Sequence, residues 1–443
     1  MDQPVQKPCD LLVTADVVLT QDAERRVLRD GAVAVAFGSV MAAGPAREIE
    51  AAFRPAERLD LGRSLLLPGL VNCHAHSPMT LLRGLADDLP LMEWLENHIF
   101  PVEAALTEDL VETGAAWGCL EMLASGVTCF CDGYLHTPGV RRAVDATGIR
   151  AVVGEGVFSF PTSACPDWRA ALDLTREQAG AWRDHPRVRT SVLPHSAYLA
   201  SPEILEACVE TARDLGLLLH THAAESTDET AQVVERLGVR PLEVLRRAGA
   251  LGEGTLLAHC VDITDEEIDL LAGTGVAVAH CPQSNMKLAS GAARVADMLA
   301  AGVTVGLGTD GPASNNDHDL FQEMTSAALL AKAVSRDPTL LPAEAVLDMA
   351  TRRAAECVGW PELGAIEPGR AADMCALDLD APSLMPLYNP VSHCVYAATA
   401  GEVVMTMVDG RVVYRDGVFP HLDAEALRED MEEAASWARG KVV

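Results

Sequence analysis

Lysine is nearly missing from this chain: only positions 7, 287, 332 and 441 carry it, so the middle of the sequence offers no side-chain amine. Long apolar runs are missing too. Stretches such as 65–67 and 217–219 are far shorter than the ~20 residues a membrane-spanning helix needs. The first nine residues include Asp2 and Lys7 and no apolar core, which argues against an export signal. None of the twelve cysteines forms a CxxC pair, and Cys119, Cys281 and Cys375 sit inside apolar stretches. Buried free thiols in a reducing cytoplasm are the expectation. Basic charge is also short: 34 basic against 64 acidic side chains give a formal charge of −30. A field of that sign repels phosphate backbones and argues against nucleic acid as a partner.

What is present is enough to build a large core. The 443 residues are 49% hydrophobic and 22% charged, which suits one large domain and a smaller one. The first sixty-odd residues read as short strands at 10–19, 31–35, 39–43 and 57–61. The same texture returns at 373–377, 403–408 and 411–414, with Asp409-Gly410 as a hairpin turn between the last two. Segments at opposite ends of a chain can pair, so residues 1–66 and 367–443 are expected to form a small β-sandwich domain. Residues 67–366 would form the other. There, strand-like runs at 64–71, 126–131, 149–154, 189–193, 216–220, 255–258, 276–279 and 303–307 alternate with helical stretches, for example 107–124, 170–183, 201–215 and 265–273. Eight such units predict a (β/α)8 TIM-like barrel, whose active site gathers where the strands end.

Polar residues fall at those ends. Strand one runs into His74-Ala-His76, strand four into His195, and strand five into His220-Thr-His222-Ala-Ala-Glu225. Strand six ends in His259, strand seven in His280, and strand eight in Thr309-Asp310. One such histidine is most simply a satisfied core residue. Six strands converging this way on one rim are hard to explain as packing, because each polar group needs a partner. Residues i and i+2 of a strand share a face, so His74 and His76 can offer nitrogens to one ion. His222 and Asp310 would complete three nitrogens and one oxygen with room for water. His220 shares the parity of His222 and would lie one layer below; His222 ranks first because Glu225 follows it. Two-metal barrels of this kind usually need a carbamylated lysine from a middle strand, and none is available. One divalent ion is therefore expected, with Glu155 the one alternative bridge. Three imidazoles and a carboxylate suit Zn2+, and Fe, Ni, Co or Mn fit the same set. A different zinc-site pattern, H-x-E followed by P-C-x-x-C, does not occur.

Longer segments carry a resemblance. They are Pro68-Gly-Leu-Val-Asn-Cys-His-Ala-His76, the run from Met79 through Trp94 to Leu95, Phe100-Pro-Val-Glu103, Leu193-Pro-His-Ser-Ala-Tyr198, His222-Ala-Ala-Glu225, the runs 279–290 and 308–317, and the closing 363–373. Together they resemble the 5-methylthioadenosine/S-adenosylhomocysteine deaminases of the amidohydrolase superfamily across nearly the whole chain. HxH and Thr-Asp mark only the superfamily; residues 79–103 are more specific. The resemblance implies His74, His76, His222 and Asp310 as metal ligands and Glu225, His259 and Asp310 as the catalytic groups. It further implies Glu103 on the ribose hydroxyls, His195 and Glu225 on the substrate, Trp94 as a pocket wall, and Arg169, one residue out of register, as a substrate arginine. The second arginine of some members is missing from 157–162, which disfavours homocysteine-type substrates. Gly133 stands where a bulkier residue is usual.

The implied reaction is hydrolytic deamination of an adenine nucleoside: 5′-methylthioadenosine, adenosine or S-adenosylhomocysteine. Asp310 would take the water proton, Glu225 would protonate the ring nitrogen, and His259 would stabilise the attacked centre. Each has a plain structural alternative. Glu103 would serve equally as a first-turn acid before the helix near 107, Trp94 as core, and 79–92 as either a lid or a packed helix. His280 would be a supporting partner, and His98, His136, His185, His318, His393 and His421 carry no functional expectation. A different aminated heterocycle (guanine, pterin or triazine) is the alternative substrate, and a non-catalytic barrel scaffold the other class, which the intact ligand set disfavours. Expected partners are a small nucleoside and, as often for barrels of this size, further copies of the chain.

Overall fold

The structure is a computed structural model that describes residues 6–89 and 91–441. Five strands open the chain: β1 (Lys7–Leu19), β2 (Val27–Ala36), β3 (Ser39–Pro45), β4 (Phe53–Asp60) and β5 (Ser64–Pro68). Eight follow: β6 (Leu70–Ala75), β7 (Val127–Tyr134), β8 (Arg150–Val157), β9 (Val188–Pro194), β10 (Leu218–Ala223), β11 (Thr255–His259), β12 (Ala277–His280) and β13 (Thr304–Leu307). The last three are β14 (Met374–Asp378), β15 (Val403–Val408) and β16 (Arg411–Arg415).

β6 to β13 pair in sequence order as one parallel sheet with helices between them. The barrel closes where Ala75 bridges Asp310 and the Asp310 amide donates to the His74 carbonyl at 2.9 Å. The eight expected strands are all present, with one break. The run 64–71 divides at Gly69: Ser64–Pro68 pairs with β14 and β1, and only Leu70–Ala75 enters the barrel. Gly69 is required there, because a Cβ would lie 2.3 Å from the Thr128 side chain. β7 and β8 also run three residues past their expected ends. That extension carries Asp132 and Glu155, whose polarity reads as a stop; here Glu155 stays inside by accepting from Thr137 N (3.0 Å), Thr137 Oγ1 (2.6 Å) and His136 N (3.2 Å).

The terminal segments pair as one mixed eight-stranded sheet in the order β16-β15-β14-β5-β1-β2-β3, with β4 on β1. Val13, Val33, Leu66, Met374 and Met405 share one apolar cluster, so both ends of the chain build the same core. A second cluster, Leu12, Ala34 and Phe53 among it, packs with Ile49 of the helix Ala46–Ala52. After β16 the helix Ala424–Arg439 leaves the sheet and packs on the barrel helix Glu108–Ala124. The twelve cysteines are buried and unpaired. Among the described residues no helix is long and apolar enough to cross a membrane.

A buried ion pair ties sheet to barrel. Arg150 of β8 donates to Asp373 at 2.8 and 3.1 Å and also to Asp409, with the Arg150 and Asp373 side chains 5% and 1% exposed. Arg150→Met would leave two carboxylates without their cation, one of them fully buried. Removing one partner of a buried pair typically costs about 3–5 kcal/mol, so the variant should unfold well below the parent in a thermal scan. A change of a degree or less would mean that the pair is not holding the two parts together.

The stretch 79–92 divides. Ser77–Leu82 is a wholly buried 3-10 helix, whereas Arg83, Gly84, Asp87 and Asp88 are exposed; Pro90 lies outside the described residues. The chain then runs helically through Leu91–Trp94, a π turn at Leu95–Ile99, and Phe100–Glu103. Such π turns recur at functional sites, and this one separates Trp94 from Glu103.

Candidate active site

At the C-terminal mouth of the barrel the imidazoles are oriented by what their far nitrogens donate to. His76 Nδ1 meets the Gly133 carbonyl, His222 Nδ1 the His195 carbonyl at 2.7 Å, and His74 Nδ1 the His220 ring at 2.8 Å. Donation from Nδ1 to a carbonyl leaves the Nε2 lone pairs of His76 and His222 free to face each other, while the ring-to-ring contact of His74 fixes no direction by itself. His74 Nε2 is buried without a hydrogen-bond partner, 3.3 Å from Asp310 Oδ1. His76 Nε2 lies 3.2 Å from the same oxygen and 3.3 Å from His222 Nε2. Asp310 keeps Oδ1 turned to these rings because Oδ2 accepts from Ser284 (2.6 Å) and Ser314 (2.8 Å).

These separations are a test of fit. Tetrahedral ligands at about 2.0–2.1 Å from zinc stand about 3.3 Å from one another, which is the spacing found. A looser grouping also forms: ligand atoms of His74, His222, His259 and Asp310 all lie within 4.8 Å of one another. The shorter contacts of His76 favour it over His259 as the fourth member. His259 instead donates from Nδ1 to Asn285 Oδ1 at 3.0 Å and turns Nε2 toward Glu225, 3.9 Å away.

Electrostatics divide the set: two rings are held neutral and the third is drawn toward its charged form by the carboxylate beside it. Burial pushes His74 down to about 4 and His222 well below its ordinary value. Burial also opposes charge on His76, but Asp310 outweighs it and raises that ring to about 9. Burial acts against the Asp310 carboxylate as well, and the His74 and His76 rings beside it hold it well below the usual range. Glu225 is shifted upward by burial, and so is Glu103, against the hydrogen bond from the Tyr134 hydroxyl. The backbone is strained where it delivers these groups: Ala224, His259 and Asp310 have φ of 49°, 75° and 62°.

One cavity joins Trp94, Glu103, His195, Glu225, His259 and Asp310. Arg169, expected on the substrate, does not line this cavity. It is exposed on the helix Trp168–Ala181, stacked 4.0 Å over Trp168 and paired with Glu203 at 3.2 Å. Gly133 now has an account: a Cβ there would come within 2.6 Å of Leu193 Cδ2, so a larger residue needs a smaller or shifted neighbour at 193. Several groups were not singled out from sequence: Ser284 and Ser314 on Asp310, Asn285 on His259, Tyr134 on Glu103, and Asn72, whose Oδ1 accepts from His74 N (3.3 Å) and Thr309 N (3.1 Å). Asn72, Ser284, Asn285 and Ser314 lie inside the segments 68–76, 279–290 and 308–317 that carry the resemblance, whereas Tyr134 lies in none of them.

A closed parallel barrel with histidines and an aspartate meeting at its strand ends is the architecture of the metal-dependent amidohydrolases. The amidohydrolase family model matches residues 65–413. A 5-methylthioadenosine/S-adenosylhomocysteine deaminase from Nitratidesulfovibrio vulgaris is 53% identical over 98% of this chain and 99% of its own. An adenosine deaminase structure from Xanthomonas campestris with bound zinc is 37% identical, covers 98% of this chain and 100% of that one, and superposes with a TM-score of 0.96. The atrazine chlorohydrolase TrzN from Arthrobacter aurescens, complexed with zinc, is 25% identical over 96% of this chain and 100% of its own, with a TM-score of 0.87. The chain belongs to the amidohydrolase family, in its 5-methylthioadenosine/S-adenosylhomocysteine deaminase branch.

Proposed function

We propose that this chain deaminates an adenine nucleoside by hydrolysis, with 5′-methylthioadenosine as the preferred substrate, through one divalent ion held by His74, His76, His222 and Asp310. Zinc suits three imidazoles and a carboxylate best. A divalent ion there supplies the Lewis acid that makes water nucleophilic near neutrality, lowering its pKa to roughly 7. Asp310 takes the proton of the attacking water and later delivers it to the departing amine. Glu225, whose carboxyl is shifted upward by burial toward its protonated form, donates to the ring nitrogen beside the attacked carbon. His259 hydrogen-bonds the incoming oxygen as the tetrahedral centre forms. His195 and Trp94 flank the base, and Glu103 accepts from the 2′ and 3′ hydroxyls. Water adds, ammonia leaves, the hydroxyl proton of the tetrahedral centre returns to the Glu225 carboxylate as the carbonyl forms, and the inosine analogue remains.

The observation that carries the nucleoside reading is that half-buried Glu103 opens onto the same cavity as Glu225, His259 and Asp310. A carboxylate in that position suits a ribose diol and has nothing to bind in a free base. Twelve buried, unpaired thiols suit a reducing cytoplasm. Screening purines, nucleosides and triazines for ammonia release tests the substrate class. Guanine or a triazine turning over as fast as the nucleosides would move the assignment to the other heterocycles. Elemental analysis should find about one divalent ion per chain, with activity lost on chelation and restored by zinc; two equivalents would overturn the single-ion reading.

A further inference from the structure

The imidazole of His220 has no part in the chemistry above, yet it is fully buried at the barrel axis. A barrel core usually fills such a position with a branched aliphatic residue. Its Nε2 lies 2.8 Å from His74 Nδ1, and its own Nδ1 lies 3.4 Å from Cys131 Sγ on β7. The three rings proposed as ligands differ in one respect. His76 and His222 each have a backbone carbonyl to receive their Nδ1 proton, from Gly133 and His195. Among the described residues, His74 Nδ1 meets the His220 ring instead. A neutral imidazole carries a single N–H, and if that proton sat on Nε2 of His74 the lone pair facing Asp310 would be lost.

We propose that His220 is the positioning residue that holds His74 in its metal-ligating tautomer, with Cys131 as the end of the relay. His74 Nδ1–H donates to His220 Nε2, and His220 Nδ1–H donates to the Cys131 sulfur. The arrangement replaces, by one side chain on β10 and one on β7, the carbonyl acceptor that serves the other two rings. It rests on the single-ion reading of the site. It also explains why β10 carries His-x-His although only His222 reaches the ion.

The test is zinc affinity, measured by competition with a chromophoric chelator on the full-length protein. Wild type fixes the reference; if it retains no zinc, the metal reading itself fails. His220→Leu removes the acceptor and should weaken zinc binding by about 10–100-fold, the usual effect of losing such a supporting partner. His220→Gln keeps a carbonyl oxygen to receive the His74 proton and should recover most of that loss. In wild-type protein, 15N spectra of labelled histidine should show His74 protonated at Nδ1 in the zinc form. Zinc held equally tightly by His220→Leu, or lost equally from the Leu and Gln variants, would overturn the proposal. If His220→Leu does not fold, the Gln variant and Cys131→Ala decide: the proposal expects zinc affinity within a few-fold of wild type for Gln and a measurable loss for Ala. Failure of either expectation overturns it.

Discussion

Asp310→Asn and Glu225→Gln are each expected to lower turnover by about a hundredfold or more, the scale of a removed general acid or base, while the protein stays folded. Asn is nearly isosteric with Asp but cannot accept and return a proton. Its amide must also choose between the rings on the Oδ1 side, at 3.2 and 3.3 Å, and the Ser284 and Ser314 hydroxyls on the other side. Metal content should therefore fall as well, and elemental analysis beside the rate measurement separates the two losses. Glu225 makes the cleaner test, because its carboxyl stands 3.9 Å from His259 Nε2 and outside the proposed ligand set. Gln keeps the shape and a donor N–H but has no proton to give up. Zinc content should be unchanged, and the loss should appear in kcat rather than KM. Near-wild-type turnover of Glu225→Gln would remove it from the proton-donor role.

The rim of histidines was legible in the sequence because strand parity is local. Two positions on one strand share a face whatever the rest of the fold does, so His74 with His76, and His220 with His222, could be paired by counting. What those rings donate to was not legible. The contact from His74 to His220 spans 146 positions, and that from Asp310 to Ser284 spans 26; both exist only once the barrel has closed. The break at Gly69 was hidden for a similar reason, since an apolar run reads as one strand and the Thr128 side chain that forces a glycine comes from β7. Arg169 differs: it was placed by register with a family, and here its guanidinium rests on the neighbouring Trp168 indole and against Glu203 of the next helix, contacts that register alone does not reveal.

Glu103→Ala should cost the nucleosides at least about 2 kcal/mol in kcat/KM, roughly thirtyfold, the scale of a charged hydrogen bond lost at a buried site. The carboxylate is borne by the irregular helix that starts beyond Pro90, it receives the Tyr134 hydroxyl, and burial shifts it upward. Such a group is costly to desolvate unless a ligand offers it donors, and a ribose offers two. Adenine offers none there, so the wild-type protein should process 5′-methylthioadenosine and adenosine far faster than adenine, and the Ala variant should lose that advantage rather than lose all substrates alike. Aromatic rings also line this cavity: Phe158 packs 5.0 Å from His195 and 5.1 Å from Phe160. Among the described residues lining the cavity there is no lysine or arginine, while Glu103, Glu225 and Asp310 all carry carboxyl groups. A methylthio group fits that wall, whereas the homocysteine carboxylate would enter without a cation to meet it. S-adenosylhomocysteine should accordingly be the poorer substrate, and the difference should lie mainly in KM. Equal kcat/KM for adenine and its nucleosides would remove Glu103 from the ribose site, and equal values for S-adenosylhomocysteine and methylthioadenosine would mean that a cation outside the cavity wall reaches the 5′ end.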